Sequence, residues 1–154
     1  MSGVRNQLTD GMIHKKYYEQ ICEKVKQDPF GRFLGIKLVE VGAGTATAEL
    51  DVTADMLNAH GTTHGAVVFA LADFVFAVAS NSYGKTSVAL SMNIGYLAAS
   101  YEGTRLRATA VEESRTNRTS WYRIRVESDQ GTVAILDALA YRKNEYFIPM
   151  EQPE

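Results

Sequence analysis

The sequence predicts an α+β fold in which one antiparallel sheet wraps around a single central, buried helix, and three observations carry that prediction. From Ala66 to Ala79 every residue is apolar except Asp73. That run is too long for an ordinary strand and is rich in the alanine that helices favour. Two stretches of alternating apolar and polar residues precede it and four follow it, and such alternation marks strands with one buried face. The last four are joined by short links, which points to antiparallel neighbours.

Taken in chain order, residues 1–11 read as a flexible polar arm. HKKYYEQICEKVKQ (14–27) places Tyr17, Ile21 and Val25 at steps of four with Tyr18 and Cys22 beside them, the stripe of one additional, N-terminal amphipathic helix. Asp28-Pro29 is expected to stop it, because the residue before proline resists the helical region. Ile36–Val41 and Thr45–Val52 flank Gly42-Ala43-Gly44 as a hairpin, and residues 54–64 are polar and turn-like. The buried helix follows over 65–81. Strands are expected at 87–99, 105–114, 120–129 and 132–143, and an irregular tail at 144–154. One domain, 12–143, contains the helices and strands, with the arm and the tail outside it. A helix apolar on every side needs cover on every side. One open sheet cannot supply it and leaves bare edges, so pairing with a second copy is expected.

At 154 residues the chain is long enough to bury a core without staples. Its net charge of −2 gives no sign of nucleic-acid binding. Cys22 is the single cysteine, which excludes an internal disulfide and any cysteine-cluster metal site; it reads as a small apolar residue on a helix face. The N-terminus lacks the apolar core of a secretory signal. The 66–79 run is too short, and carries a charge, for a membrane span. A soluble cytoplasmic protein is the expectation.

The segment LNAHGTTHGAVVFALADFVFAVASNSYG (57–84) resembles the hotdog-fold acyl-CoA thioesterases of the phenylacetate-pathway type, near relatives of the acyl-CoA thioesterase 13 type. That family shows an Asn, then His-Gly-Gly opening the central helix, then an acid nine residues after the His. Here Asn58, His64-Gly65-Ala66 and Asp73 stand at that spacing. SMNIGYLAAS (91–100) looks like the family's next strand, and Ser114–Thr119 like its Gly-Arg/Lys-Thr turn. The resemblance spans roughly 30–143. Two departures are Ala66 in place of the second glycine and Thr116-Asn117-Arg118 without a glycine before the basic residue.

The resemblance implies a hydrolase that splits an acyl-CoA thioester without metal or redox cofactor, coenzyme A entering only as part of the substrate. Gly65 lies where a helix N-terminus offers free N–H groups and a positive dipole end, and its missing side chain permits close approach of a thioester oxygen. Asp73 is costly in an apolar helix, and desolvation raises a carboxyl pKa, which suits a general base or a nucleophile. A structural Asp bonded to backbone or to an Arg is the alternative. Asn58 serves either to hold a water or thioester or to shape a turn; His64 either donates to the carbonyl or caps the helix. Arg118, Thr119, Ser120 and Lys143 are the candidates for the coenzyme A phosphates. Ser91 and Tyr96 stand on the strand that the family places beside the pantetheine arm. Arg105, Arg107, Arg123 and Arg125 read as solvated strand positions, His14 as exposed helix and His60 as loop structure.

Gly65 and Asp73 are eight residues apart on one helix, about 12 Å along its axis. One chain therefore does not place both on one carbonyl, and a two-fold site takes Gly65 from one subunit and Asp73 from the other. The resemblance implies the same arrangement in a homodimer, often in a homotetramer built as a dimer of dimers. Two other readings are a hotdog enoyl-CoA hydratase using Asp55 and His60, and a hotdog domain that binds acyl-CoA without turning it over.

Overall fold

The computed structural model describes residues 8–151. Three short helices come first: α1 (Asp10–Lys16), α2 (Tyr18–Val25) and α3 (Pro29–Leu34). Strands β1 (Lys37–Gly42) and β2 (Thr45–Asp51) form the expected hairpin, a 3₁₀ turn covers Ala54–Met56, and α4 (Gly65–Asn81) is the central helix. Strands β3 (Lys85–Tyr96), β4 (Arg105–Arg115), β5 (Thr119–Ser128) and β6 (Gly131–Tyr146) complete one antiparallel sheet of order β1-β2-β4-β5-β6-β3.

The inner face of that sheet is cut low by small residues. Ala46 and Ala48 on β2, Ala108 and Ala110 on β4, and Ala138 and Ala140 on β6 are all buried. Against them α4 sets Leu71, Val75, Phe76 and Val78, also buried. Small strand residues opposite large helical ones interlock into a close-packed core. On the solvent face the strand arginines pair across the ladder: Arg105 with Asp51, Arg107 with Glu49 and Arg123 with Asp137. They are the solvated strand positions the alternation predicts.

Several sequence expectations are corrected. The helix expected over 14–27 is two, divided at Tyr17, whose φ of −109° and ψ of 19° leave the helical region. Ile13, Tyr17 and Ile21 still pack together, on Ile148 from the C-terminal segment. α1 starts at Asp10 and β6 runs to Tyr146, so ordered structure extends past both edges of the 12–143 span; residues 1–7 of the expected arm lie outside the described residues. Asp28-Pro29 opens a helix rather than merely ending one. The Asp28 carboxylate accepts the Gly31 N–H at 2.6 Å and Pro29 takes the first helical position, where its missing N–H is no loss. His14 is not simply exposed: its Nδ1 donates to the Ser82 carbonyl at 2.7 Å. The short link after β3 does not join neighbours, since β3 pairs with β6 and β4 with β2. The chain crosses the sheet end between them, leaving β3 as an edge.

Candidate active site

The first turn of α4 is finished by its own neighbours. His64 is the N-cap, and its Nδ1 accepts the Ala66 N–H at 3.0 Å, which puts the ring proton on Nε2. The His64 carbonyl accepts from Val67 and Val68. Among the described residues the Gly65 N–H has no partner, so it is the unengaged donor at the positive end of the helix. Tyr96, at the end of β3, donates its hydroxyl to the Gly65 carbonyl at 2.9 Å. A Cβ at position 65 would stand 3.1–3.3 Å from the Tyr96 ring and hydroxyl. A side chain at this position would thus press on the tyrosine, and the glycine keeps the helix end open.

Asn58 shapes the loop before this helix. Its Oδ1 accepts from the His60 and Thr62 N–H groups at 2.9 and 3.2 Å, and its Nδ2 donates to Thr62 Oγ1 at 2.8 Å. Its amide is engaged within the loop, in the manner of a turn-former. Ser100 Oγ donates to Thr63 Oγ1 at 2.7 Å and ties that loop to the β3–β4 crossing. Asn58, His64, Gly65 and Tyr96 line one open cleft of about 600 Å³. Asp55 lies in the 3₁₀ turn and His60 in the exposed loop.

Asp73 lies two turns further on. As expected of one open sheet, the cover on α4 is incomplete: Ala66, Asp73 and Ala77 form an exposed stripe that the sheet, wrapping the opposite face, leaves open. The carboxylate accepts no hydrogen bond from any described residue. Although water reaches it, the surrounding protein excludes enough solvent to raise its pKa above the ordinary carboxylate range, and the Asp28 carboxylate adds repulsion in the same direction. A carboxylate in this setting has the chemistry to accept a proton or to attack a carbonyl carbon.

A third region is basic. Arg118 and Lys143, predicted separately, meet in a cleft of about 460 Å³ with Lys85, Arg142, Asn117 and Tyr141. Arg142 is buried, held by the Thr116 carbonyl and by Asp10, each at 2.7 Å. Thr119 is fastened into the turn by Thr116, whose Oγ1 accepts its N–H at 3.0 Å. Ser120 does not join them. It is 2% exposed, on the core side of β5, with its Oγ unpartnered among the described residues. Ser91 is exposed on β3 opposite Leu139 and lines neither cleft. Sequence reasoning missed Lys85 and Arg142, because a lysine after a turn glycine and an arginine in a strand carry no local mark of a shared site. It also missed the Tyr96 contact with Gly65, which depends on where β3 ends relative to α4. Among the described residues no group of three or more His, Cys, Asp or Glu side chains is placed to hold a metal ion.

Residues 60–135, which include the donor turn and the acid, match the model of the thioesterase superfamily. The acyl-coenzyme A thioesterase PaaI of Escherichia coli K12 is 35% identical over 132 residues, covering 85% of this chain and 94% of that protein. The chain belongs to the thioesterase superfamily. The thioesterase, a thioester hydrolase by family, also shares the hotdog architecture of its solved relatives. The E. coli PaaI protein from the phenylacetic acid degradation operon superposes with a TM-score of 0.82 at 32% identity, over 87% of this chain and 98% of the other. The TT0310 protein of Thermus thermophilus gives 0.74 at 41% identity, over 76% and 99%.

Proposed function

We propose that this thioesterase hydrolyses acyl-CoA to a free carboxylic acid and CoA, at two-fold-related sites shared across a homodimer, itself paired into a dimer of dimers. The observation that carries the reading is the division of labour along α4. One end holds an unengaged N–H at Gly65; the exposed stripe holds an unpartnered acid at Asp73, about 12 Å away along the axis. Two copies related by a two-fold axis bring the end of one helix to the acid of the other. The edge strand β3 supports such pairing, since it presents Val88 and Leu90 at 40% and 57% exposure. The E. coli relative's name supports acyl-CoA as the substrate class.

In this reading the thioester oxygen accepts the Gly65 N–H of one subunit, so the charge that develops on it meets a fixed donor and the helix dipole. Asp73 of the other subunit, as the carboxylate, supplies the attack on the acyl carbon, directly or by taking a proton from water. The carbon–sulfur bond breaks and CoA leaves as thiolate; where Asp73 activates water, the proton it took passes to the thiolate, and where it attacks directly, water then opens the acyl–Asp73 anhydride, releasing the acid, restoring the carboxylate and supplying the proton. The cleft of Lys85, Arg118 and Lys143 offers cations for the CoA phosphates. The cytoplasm is the compartment this reading implies.

A panel of acyl-CoAs with a thiol-reporting dye tests the reading. Asp73→Asn should lower kcat on the best substrate by about 10²-fold or more; equal turnover by the variant would remove the acid from the mechanism.

A further inference from the structure

The turn that carries Arg118, between β4 and β5, is held by groups from the first helix and the last strand. We propose that Asp10 and Arg142 are positioning residues for Arg118: they set the place of its guanidinium against the phosphates of acyl-CoA without touching the substrate themselves. The inference rests on the reading of the basic cleft as the receiver of those phosphates, and adds to it the residues that give the cleft its shape.

The construction of the turn explains why Arg118 needs such help. No glycine precedes it, and none of Thr116, Asn117 and Arg118 takes the left-handed backbone that a glycine would supply. Thr116 closes the turn instead. Its N–H donates to the Thr119 carbonyl at 2.8 Å, and its Oγ1 accepts the Arg118 and Thr119 N–H groups at 3.2 and 3.0 Å. These bonds hold backbone only. Among the described residues nothing hydrogen-bonds or pairs with the Arg118 guanidinium, so it lies where the turn points it.

Arg142, on β6, grips both ends of that turn. Its backbone N–H donates to the Arg118 carbonyl at 2.7 Å, and its Nη1 donates to the Thr116 carbonyl at 2.7 Å. Only 2% of its side chain is exposed, and a cation buried this far needs a counter-charge. Asp10, the first residue of α1, supplies it. One carboxylate oxygen, Oδ2, accepts from Arg142 Nη2 at 2.7 Å and from Nε of Arg115, the residue just before the turn, at 3.1 Å. The first helix is thereby tied to β4 and β6 at the base of the turn. Asp10 also lines a cavity that shares Lys85, Asn117 and Asn144 with the basic cleft, so charge and geometry pull in opposite directions here. As a bare negative charge Asp10 would repel phosphate, and its removal would tighten CoA binding. As a positioning residue it keeps Arg118 in place, and its removal weakens binding.

Asp10→Asn, which keeps the shape of the side chain and removes its charge, is the test. KM for the best acyl-CoA of the panel should rise about 3–10-fold with kcat nearly unchanged. The same acyl group on pantetheine, which lacks the nucleotide phosphates, should be cleaved at the wild-type kcat/KM. A KM that falls or stays put, or equal losses on both substrates, overturns the assignment. Arg118→Gln should itself raise KM for acyl-CoA, and Asp10→Asn added to it should raise KM no further; an undiminished effect would mean that Asp10 does not act through Arg118. Should Asp10→Asn fail to fold, Arg142→Lys preserves the charge but not the fork that reaches two acceptors. It should give the same rise in KM, and a wild-type KM would overturn the inference. If the wild-type protein cleaves no acyl-CoA, the hydrolase reading fails separately, and calorimetry with CoA reads the cleft. Arg118→Gln and Asp10→Asn should then each weaken CoA binding about 3–10-fold. Affinity untouched by Arg118→Gln removes the cleft reading and the inference with it; affinity lowered by Arg118→Gln but not by Asp10→Asn overturns the positioning alone.

Discussion

The first and third turns of α4 lie on one helix, yet the chain treats them in opposite ways. At the first turn every neighbour contributes: His64 caps, Tyr96 clamps the Gly65 carbonyl, and Asn58 organises the approaching loop. One N–H is left over. At the third turn Asp73 receives no hydrogen bond from the described residues, faces outward between alanines and is repelled by Asp28. All but one donor of the first turn is engaged within one chain while the acid of the third is not, and the proposal of a second copy rests on that difference. The contrast extends to stability. A carboxyl whose pKa is raised by folding favours the protonated form, so its contribution is present at low pH and lost as pH rises through the folded-state value. The ionised acid is thus a burden on the fold at neutral pH.

If the donor end is as specific as its geometry indicates, removing its one free N–H should produce the largest break. Gly65→Pro does this at the first helical position, where proline is tolerated and His64, at φ −60° and ψ 134°, already has the extended backbone that precedes proline. Steady-state kinetics should show kcat lower by about 10²–10³-fold. Gly65→Ala keeps the N–H and only presses on Tyr96, so its loss should be clearly smaller; equal losses would mean that crowding, not the donor, matters.

The acid end is sharpened by Asp28→Asn, which preserves the α3 cap because asparagine caps as well as aspartate. Removing the like charge lowers the Asp73 pKa, and the proposed mechanism uses the carboxylate. The acid limb of the kcat/KM profile should therefore move to lower pH, and a limb that stays in place would disconnect the two carboxylates. The smallest effect belongs to Tyr96→Phe. Loss of one hydrogen bond to the Gly65 carbonyl should reduce kcat by about 2–10-fold with KM nearly unchanged; a rise in KM alone would place Tyr96 against the substrate instead.

Much of this contrast was legible in the sequence. The apolar run with one acid located α4 and Asp73, and alternation located the strands of the sheet, because burial of one face leaves a local periodic trace. What stayed hidden was non-local. The exposed stripe through Ala66, Asp73 and Ala77 is invisible in composition, since alanine suits a covered and an uncovered face equally. β3 pairing with β6 rather than β4 depends on a crossing that a short link disguises. Asp28-Pro29 carried both a stop signal and a cap signal, and only the cap hydrogen bond to Gly31 shows which governs. Ser120 was placed with Arg118 by adjacency, yet the pleat turns alternate residues to opposite faces and sends it into the core.

The central claim is that each site takes its donor from one subunit and its acid from the other. Co-expression of Gly65→Pro and Asp73→Asn chains with different tags, followed by isolation of the mixed dimer, tests it directly. Shared sites leave one of the two intact in every mixed dimer, so activity should return to about half that of the wild-type protein. Mixed dimers as inactive as their parents would contradict the account, because sites built within single chains would each still lack one group.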